Sequence, residues 1–276
     1  MDWNQQGTLG RTGLKVGRLG IGSSFGVSAR AVEAAYDRGC NYLYWGSVRR
    51  SGFGKAIRNL CARDRDGVVF VVQSYTRFPS FLGTSLRHAL RRCRTGHAEV
   101  LLLGLHSKLP SEAMLEAAIR LREKGLVRHI ALSTHQRPFA GKLLGEDGPF
   151  DVLHVRYNAS HRGAETEIFP HSRGTEGPGL VSFTATRWAT LLHPVKGQPA
   201  TLKVPTAADC YRFVMSRPEV DVCVHGPSND DQLAHALTAL DAGPMSEEEQ
   251  ASIRAFGDLV YGHPPKRLIP RLADKI

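Results

Sequence analysis

Short apolar runs alternate with amphipathic stretches along most of the chain, the pattern of repeated β-α units around a parallel sheet. Val68 to Gln73 (VVFVVQ) is an unbroken, β-branched run suited to a strand covered on both faces. Glu99 to Leu105, His129 to Ser133, Val152 to Arg156, Leu180 to Thr184 and Val220 to Val224 are runs of the same kind. Helical periods lie between them. Ala31, Val32 and Ala35 recur at helical spacing within Ser28 to Arg38, with Ser28 as the N-cap. Leu115, Ile119 and Leu121 do the same within Ser111 to Lys124. The count supports eight strands with helices outside them.

Two segments interrupt the alternation. Arg187 to Thr206 is a long connection rich in Pro, Gly and Lys, and a loop of that length in a compact domain is usually functional or mobile. A surface excursion without a role is the plainer alternative. Met245 to Val260 opens on Ser246-Glu247-Glu248-Glu249, an acidic helix start with capping-box spacing from Ser246 to Glu249. It predicts an extra helix across the outside of the domain. The tail after His263-Pro264-Pro265 is expected to be irregular.

Composition narrows the class. A chain of 276 residues with 42% hydrophobic content can bury one large core, so residues 1–276 are expected to form a single domain. No run of about eighteen apolar residues occurs, so no membrane-spanning helix is expected. The start, MDWNQQ, has neither a basic nor an apolar stretch, and no signal peptide is expected. The five cysteines are scattered, odd in number and without Cys-x-x-Cys spacing. That favours packed, reduced thiols in a cytoplasmic protein over a disulfide framework or thiolate metal site. No His/carboxylate cluster has metal-ligand spacing, and His135 and His161 are isolated in sequence. The net charge of +10 raises nucleic acid as a partner, but the arginines are spread out and the densest group, Arg87 to Arg94, fits a solvated helix face. Nucleic acid is therefore not expected. Arginines lining a pocket for an anion are the other source of the charge.

Seven segments, in order, carry a family resemblance. They are QGTLGRTGLKVGRLGIGSS near the start, GCNYLYWGSVRRSGFGKAI from Gly39, LLLGLHS from Leu101, EKGLVRHIALSTH from Glu123, DVLHVRYNAS from Asp151, GLVSFTATRW from Gly179 and HGPSNDDQLAHAL from His225. Together they resemble the aldo-keto reductase superfamily over nearly the whole chain. The resemblance implies an α/β fold, a (β/α)8 TIM barrel with an N-terminal β-hairpin around Gly10 to Gly13 and an extra C-terminal helix. It also implies reduction of a small carbonyl compound with NADPH or NADH.

The family's catalytic set departs sharply from this chain. Position by position, the resemblance places Tyr44 where the family has its catalytic Asp, Arg49 where it has the proton-donating Tyr, and Ser74 where it has Lys; only His106 is retained. Loss of both members of a buried ion pair avoids the roughly 3–5 kcal/mol that one uncompensated charge would cost. Tyr44 is expected either to replace the missing acid with His106 as its hydrogen-bond partner, or to fill the vacated space. Trp45, Ser74 and Arg49 are expected to line the substrate site.

The cofactor positions are partly retained. Ser133, Thr134 and His154 stand where the family holds the nicotinamide carboxamide, and Phe183 supplies the stacking face. Gly226, Ser228, Asn229 and Gln232 match the loop that holds the adenosine phosphate, and Ala236 replaces an adenine contact. Arg187 belongs to a run of cations at strand ends, with Arg49, Arg50, Arg77, Arg137, Arg156 and Arg162, that suits a diphosphate or an acidic substrate. A weakened NADP or NAD site is expected. The leading reading is a divergent oxidoreductase acting on a small carbonyl compound with an anionic group. The alternative is a non-redox enzyme, a lyase or isomerase, or an inactive ligand-binding protein on the same barrel.

Overall fold

The unbroken apolar runs become strands because both faces are covered, one by the barrel interior and the other by helices. The computed structural model describes residue 3 and residues 5–22, 26–46 and 51–262. Two short strands, β1 (Gly7–Thr8) and β2 (Lys15–Val16), pair antiparallel as the expected hairpin. Eight parallel strands then close into a barrel: β3 (Leu19–Gly22), β4 (Tyr42–Trp45), β5 (Val69–Ser74), β6 (Ala98–Leu105), β7 (Val127–Thr134), β8 (Val152–Arg156), β9 (Gly179–Phe183) and β10 (Val222–His225). They neighbour one another in chain order, and β10 pairs with β3 to complete the ring.

Around the barrel lie α1 (Ala29–Asp37), α2 (Ser51–Arg63), α3 (Pro79–Cys93), α4 (Glu112–Glu123), α5 (Arg137–Gly145), the short α6 (Ala164–Glu167), α7 (Ala207–Met215), α8 (Asp230–Ala242) and α9 (Glu247–Gly262). Local signals position several of them. Ser28 accepts from the Ala31 N–H at the start of α1, and Ser111 does the same for Met114 at α4. Ser246 and Glu249 cap each other reciprocally ahead of α9, as their spacing predicts. Among the described residues no helix is long and apolar enough to cross a membrane.

Side chains alternate between two cores. Tyr42, Val69, Val71, Val100, Leu102, Ala131, Val152, Val181, Val222 and Val224 fill the barrel interior. Leu43, Phe70, Val72, Leu101, Leu103 and Leu153 pack outward against the helices. The hairpin closes the bottom, with Leu9 and Val16 joining the interior core. Gly10 is required there: its φ is +44°, and a Cβ would sit 2.2 Å from the Gly179 nitrogen. The long connection of residues 187–206 contains one short 3-10 turn, Thr190–Leu192, that buries Leu191.

Candidate functional site

Phase along the strands decides which residues reach the C-terminal mouth of the barrel, where barrel enzymes place their chemistry. On β5, Val69 and Val71 face inward, so Gln73 is the next inward position. Tyr44 ends the inward row of β4 above Tyr42, and its phenol donates to the Gln73 Oε1. Ser74 is in register with Leu103, an outward residue, and is buried in the helix layer with no partner for its hydroxyl. The expected substrate role of Ser74 is corrected accordingly: Gln73 is the residue beside Tyr44. Trp45 also faces outward, 2% exposed, packed on Phe70 at 6.0 Å between ring centroids and against Gly54 of α2. It is a core residue and does not line the mouth.

Tyr44 is partly buried, and that burial, aided by the neighbouring Tyr75 phenol, raises its pKa far above the ordinary value. Its expected partnership with His106 does not form. A register shift on β6 between Leu103 and Leu105 places Leu105 opposite the inward-facing Ser133 and takes His106 off the inward phase. His106 instead meets Arg77, whose Nη1 lies 2.6 Å from Nε2 of the ring, while the His106 N–H donates to the Ser133 carbonyl at 2.9 Å. Burial, and then the Arg77 charge, lower the His106 pKa to about 4. Its ring is neutral at pH 7, and the Arg77 guanidinium lies across the edge of the ring, with Nη1 also 3.1 Å from Nδ1. Arg49 and Arg50 lie outside the described residues.

The cofactor positions divide by the same rule. Ser133 and Phe183 both follow inward residues, Ala131 and Val181, and reach the mouth. The Ser133 hydroxyl has no hydrogen-bond partner among the described residues, and the Phe183 ring meets His135 edge-on at 5.4 Å. His154 is inward but deep, 3% exposed, with its Nε2 hydrogen-bonded to the Tyr42 hydroxyl at 2.7 Å. Burial lowers its pKa to about 3. Thr134 points outward, 1% exposed, with its hydroxyl accepting from the Gln136 N–H. The expected Thr134 contact with a carboxamide therefore does not fit its direction.

At the other end, Asn229 caps α8 by accepting from the Gln232 N–H, and the Gln232 Oε1 accepts from the Ser228 N–H. These groups satisfy one another, and Asp230 accepts from the Ser28 N–H beside them. Gly226 opens this loop after β10. Arg187 donates to the Ser160 hydroxyl at 3.0 Å and to the Val260 carbonyl at 2.6 Å, so part of its guanidinium joins the barrel to α9. It begins a run of three residues with left-handed backbones, Arg187, Trp188 and Ala189, with φ of 50°, 55° and 64°. Such conformations cost non-glycine residues roughly 1–3 kcal/mol each and concentrate at functional sites. The Trp188 side chain is 74% exposed on this turn.

The strand-end cations, with Arg254 on α9 beside them, differ in their partners, and Arg77 is taken up by His106 and the Leu105 carbonyl. Arg137 pairs with Glu167 at 2.5 Å, Arg162 with Asp258 at 2.7 Å, and Arg254 with Glu165 at 2.7 Å. Arg156 and Arg187 have no carboxylate partner among the described residues. Arg156 is the inward-phase residue above His154 on β8, directly opposite Phe183 in register. His135 and His161, far apart in sequence, line one narrow cleft with Arg137 and Arg156.

The barrel has known counterparts among solved structures. The holo and apo structures of the aldo-keto reductase AKR11C1 from Bacillus halodurans superpose with TM-scores of 0.74 and 0.73, at 19% and 18% sequence identity. Each match covers 91% of this chain, with 96% and 95% of the respective counterpart. This is the aldo-keto reductase fold. No protein-family model and no curated protein matches the chain by sequence.

Within the aldo-keto reductase fold, Gln73 is the mouth residue of β5 that sequence reasoning misses. The missing signal is phase, because VVFVVQS is apolar throughout its first five residues and has no polar alternation to mark its inward face. Arg156 is visible in the sequence only as one cation among several. Its isolation from carboxylates emerges from three-dimensional placement.

Proposed function

We propose that the protein is an aldo-keto-reductase-type oxidoreductase that uses NADPH or NADH to reduce a small carbonyl compound bearing an anionic group. The observation that carries this reading is the convergence of the unpartnered Ser133 hydroxyl, the Phe183 ring and the unpaired Arg156 on one barrel mouth. Ser133 suits the polar edge of a carboxamide, and Phe183 suits the face of a flat ring. The Gly226 to Gln232 loop at the start of α8 suits a phosphate, because helix N-termini favour anions, although Asp230 and Asp231 oppose it there. When bound, the nicotinamide supplies a hydride. His106, neutral at pH 7, carries a single ring N–H that can donate to a carbonyl oxygen. Tyr44, with its raised pKa, is a weak acid and serves with Gln73 as a neutral pair beside it. The outward direction of Thr134 and the engaged His154 make the carboxamide site weaker than a full set of contacts. A cytoplasmic setting is part of this reading and rests on five unpaired cysteines, four of them buried.

Fluorescence titration of NADPH and NADH into wild-type protein and into the Ser133→Ala and Phe183→Ala variants tests this reading. Binding that each variant weakens is the expected result. Absence of binding at millimolar cofactor would overturn the oxidoreductase assignment.

A ligand-binding barrel without turnover is the second reading, favoured by the commitment of the Tyr44 phenol to Gln73 and the neutral state of His106. Turnover of a carbonyl panel separates the two. General acid catalysis is worth roughly 10²–10⁴ in rate, so Tyr44→Phe should lower any turnover by well under tenfold if the phenol only packs. His106→Ala should then remove most of what remains.

A further inference from the structure

Arg156 is placed as a ligand-binding arginine and not as a structural one. Its neighbours show what structural arginines do here: Arg137, Arg162 and Arg254 each hold a carboxylate on a neighbouring element. Arg156 makes no hydrogen bond or ion pair with any described residue, although it is partly buried at the C-terminal end of β8. A cation in that position loses hydration without a protein partner, which is unfavourable unless something else supplies the negative charge. Arg187, also without a carboxylate partner among the described residues, lies close enough to interact with it electrostatically, as do Arg137 and the Tyr261 hydroxyl. The rim thus holds two unneutralised guanidinium groups beside the imidazoles of His135 and His161.

The cleft bordered by Arg156, His135 and His161 is about 10 Å³, room for one water at most, so an anion would meet these groups at the lip of the cleft and not inside it. Burial and the surrounding arginines lower the His161 pKa to about 4, so at pH 7 it contributes a neutral imidazole. The charge is therefore carried by arginine, whose planar fork matches an oxyanion with two oxygens. Arg156 lies opposite Phe183 in register, while Thr134, Val155 and Ile168 of the same cleft belong to the helix layer, so this charge sits on the rim where the mouth and the helix layer meet.

We propose that Arg156, supported by Arg187 and His161, is the residue that recognises the carboxylate or phosphate group of the substrate. That the anion belongs to a carbonyl substrate rests on the function proposed above; the anion site itself does not.

The test follows thermal unfolding of the full-length protein with inorganic phosphate and, separately, with malonate. Wild type, Arg156→Gln and a charge-matched control, Arg91→Gln on the exposed face of α3, are compared. Either anion should raise the wild-type melting temperature, which shows whether phosphate, carboxylate or both are accepted. Arg156→Gln should bind roughly tenfold more weakly or worse, as loss of a charge-assisted hydrogen bond implies, and Arg91→Gln should respond as wild type does. Without anion, Arg156→Gln should melt no lower than wild type, because it removes an unpaired charge. A structural role would make it melt lower. An equal response in Arg156→Gln and wild type, or no response to either anion, would overturn the site. Displacement of bound phosphate by NADPH would assign the arginines to the cofactor and overturn the substrate assignment. An anion response without any NADPH binding keeps the site and rejects the oxidoreductase reading alone.

Discussion

The Tyr44–Gln73 pair can be tested by rebuilding an ion pair in its place. Tyr44→Asp alone puts a carboxylate on the inward face of β4 above the buried Tyr42 and beside the ring of His154, 6.0 Å from that of Tyr44. An uncompensated, fully buried charge costs about 3–5 kcal/mol. Tyr44 is only partly buried and the Gln73 amide can turn its N–H groups toward a carboxylate, which lowers the expected cost to about 2–3 kcal/mol. Gln73→Lys alone should cost less, under about 1 kcal/mol, because the lysine stem can extend its ammonium into the open mouth.

The double variant is the informative one. Groups in direct contact show coupling of roughly 0.5–3 kcal/mol, so Tyr44→Asp/Gln73→Lys should be at least about 1 kcal/mol more stable than the sum of its single changes predicts. Ser74→Lys is the control, since Ser74 faces the helix layer at 2% exposure. There the ammonium is buried away from Tyr44, so it should destabilise by itself and rescue nothing. Urea unfolding at equilibrium, followed by both fluorescence and circular dichroism, measures each protein with the m-value held as a check. Additive effects in the double variant, or rescue of Tyr44→Asp by Ser74→Lys, would refute the phase assignment on β5.

Two further outcomes follow from burial. Burial, with nearby cations where present, holds His106, His161 and His225 at about 4 and His154 at about 3. The unfolded chain binds these protons near 6.5, so the stability they reflect is complete above about pH 6.5 and is lost as pH falls through 6.5 toward 4. Asp221, raised to about 6 by burial, acts in the opposite sense as one group against four. Urea midpoints should therefore fall between about pH 7 and about pH 5, and a flat profile would contradict the burial of these imidazoles. Gly257→Ala should destabilise by about 1–3 kcal/mol, because its Cβ would lie 2.2 Å from the Ala159 carbonyl where α9 crosses the loop after β8. An unchanged urea midpoint would show that α9 docks elsewhere.

Features decided by neighbours along the chain are legible in the sequence itself. Ser28, Ser111 and the Ser246/Glu249 pair act as caps because a cap needs only residues within one helical turn. The barrel is legible because its strand order follows chain order, so seven segments in sequence already describe the ring. Inward phase is less accessible. Strands buried on both faces carry no polar marks, and one residue of error exchanges the mouth for the helix layer. That ambiguity draws Ser74 and Trp45 into the expected site, and Thr134 with them. His106 differs in cause: its residue type matches, and the register shift after Leu103 turns it to the rim.

These differences have one physical origin, and it bears on the chemistry. A position match identifies which residue stands at a strand end, whereas catalysis depends on which side of the strand that residue occupies. The neutral Tyr44–Gln73 contact preserves the logic of a matched replacement, since both members face the mouth and neither leaves a charge unpaired. Arg156 breaks that logic in the same layer of the barrel. It stands above two inward residues, Val152 and His154, so its phase is as firmly determined as theirs, and it keeps a full charge with no counterpart among the described residues. On the function proposed above, a neutral pair at the centre of the mouth and a guanidinium without a described carboxylate at its edge assign the fixed charge of the mouth to ligand recognition. The selectivity of this protein should accordingly depend more on Arg156 than on Tyr44. Loss of anion response in Arg156→Gln, beside unchanged response in Tyr44→Phe, is the pair of results that this division of roles requires.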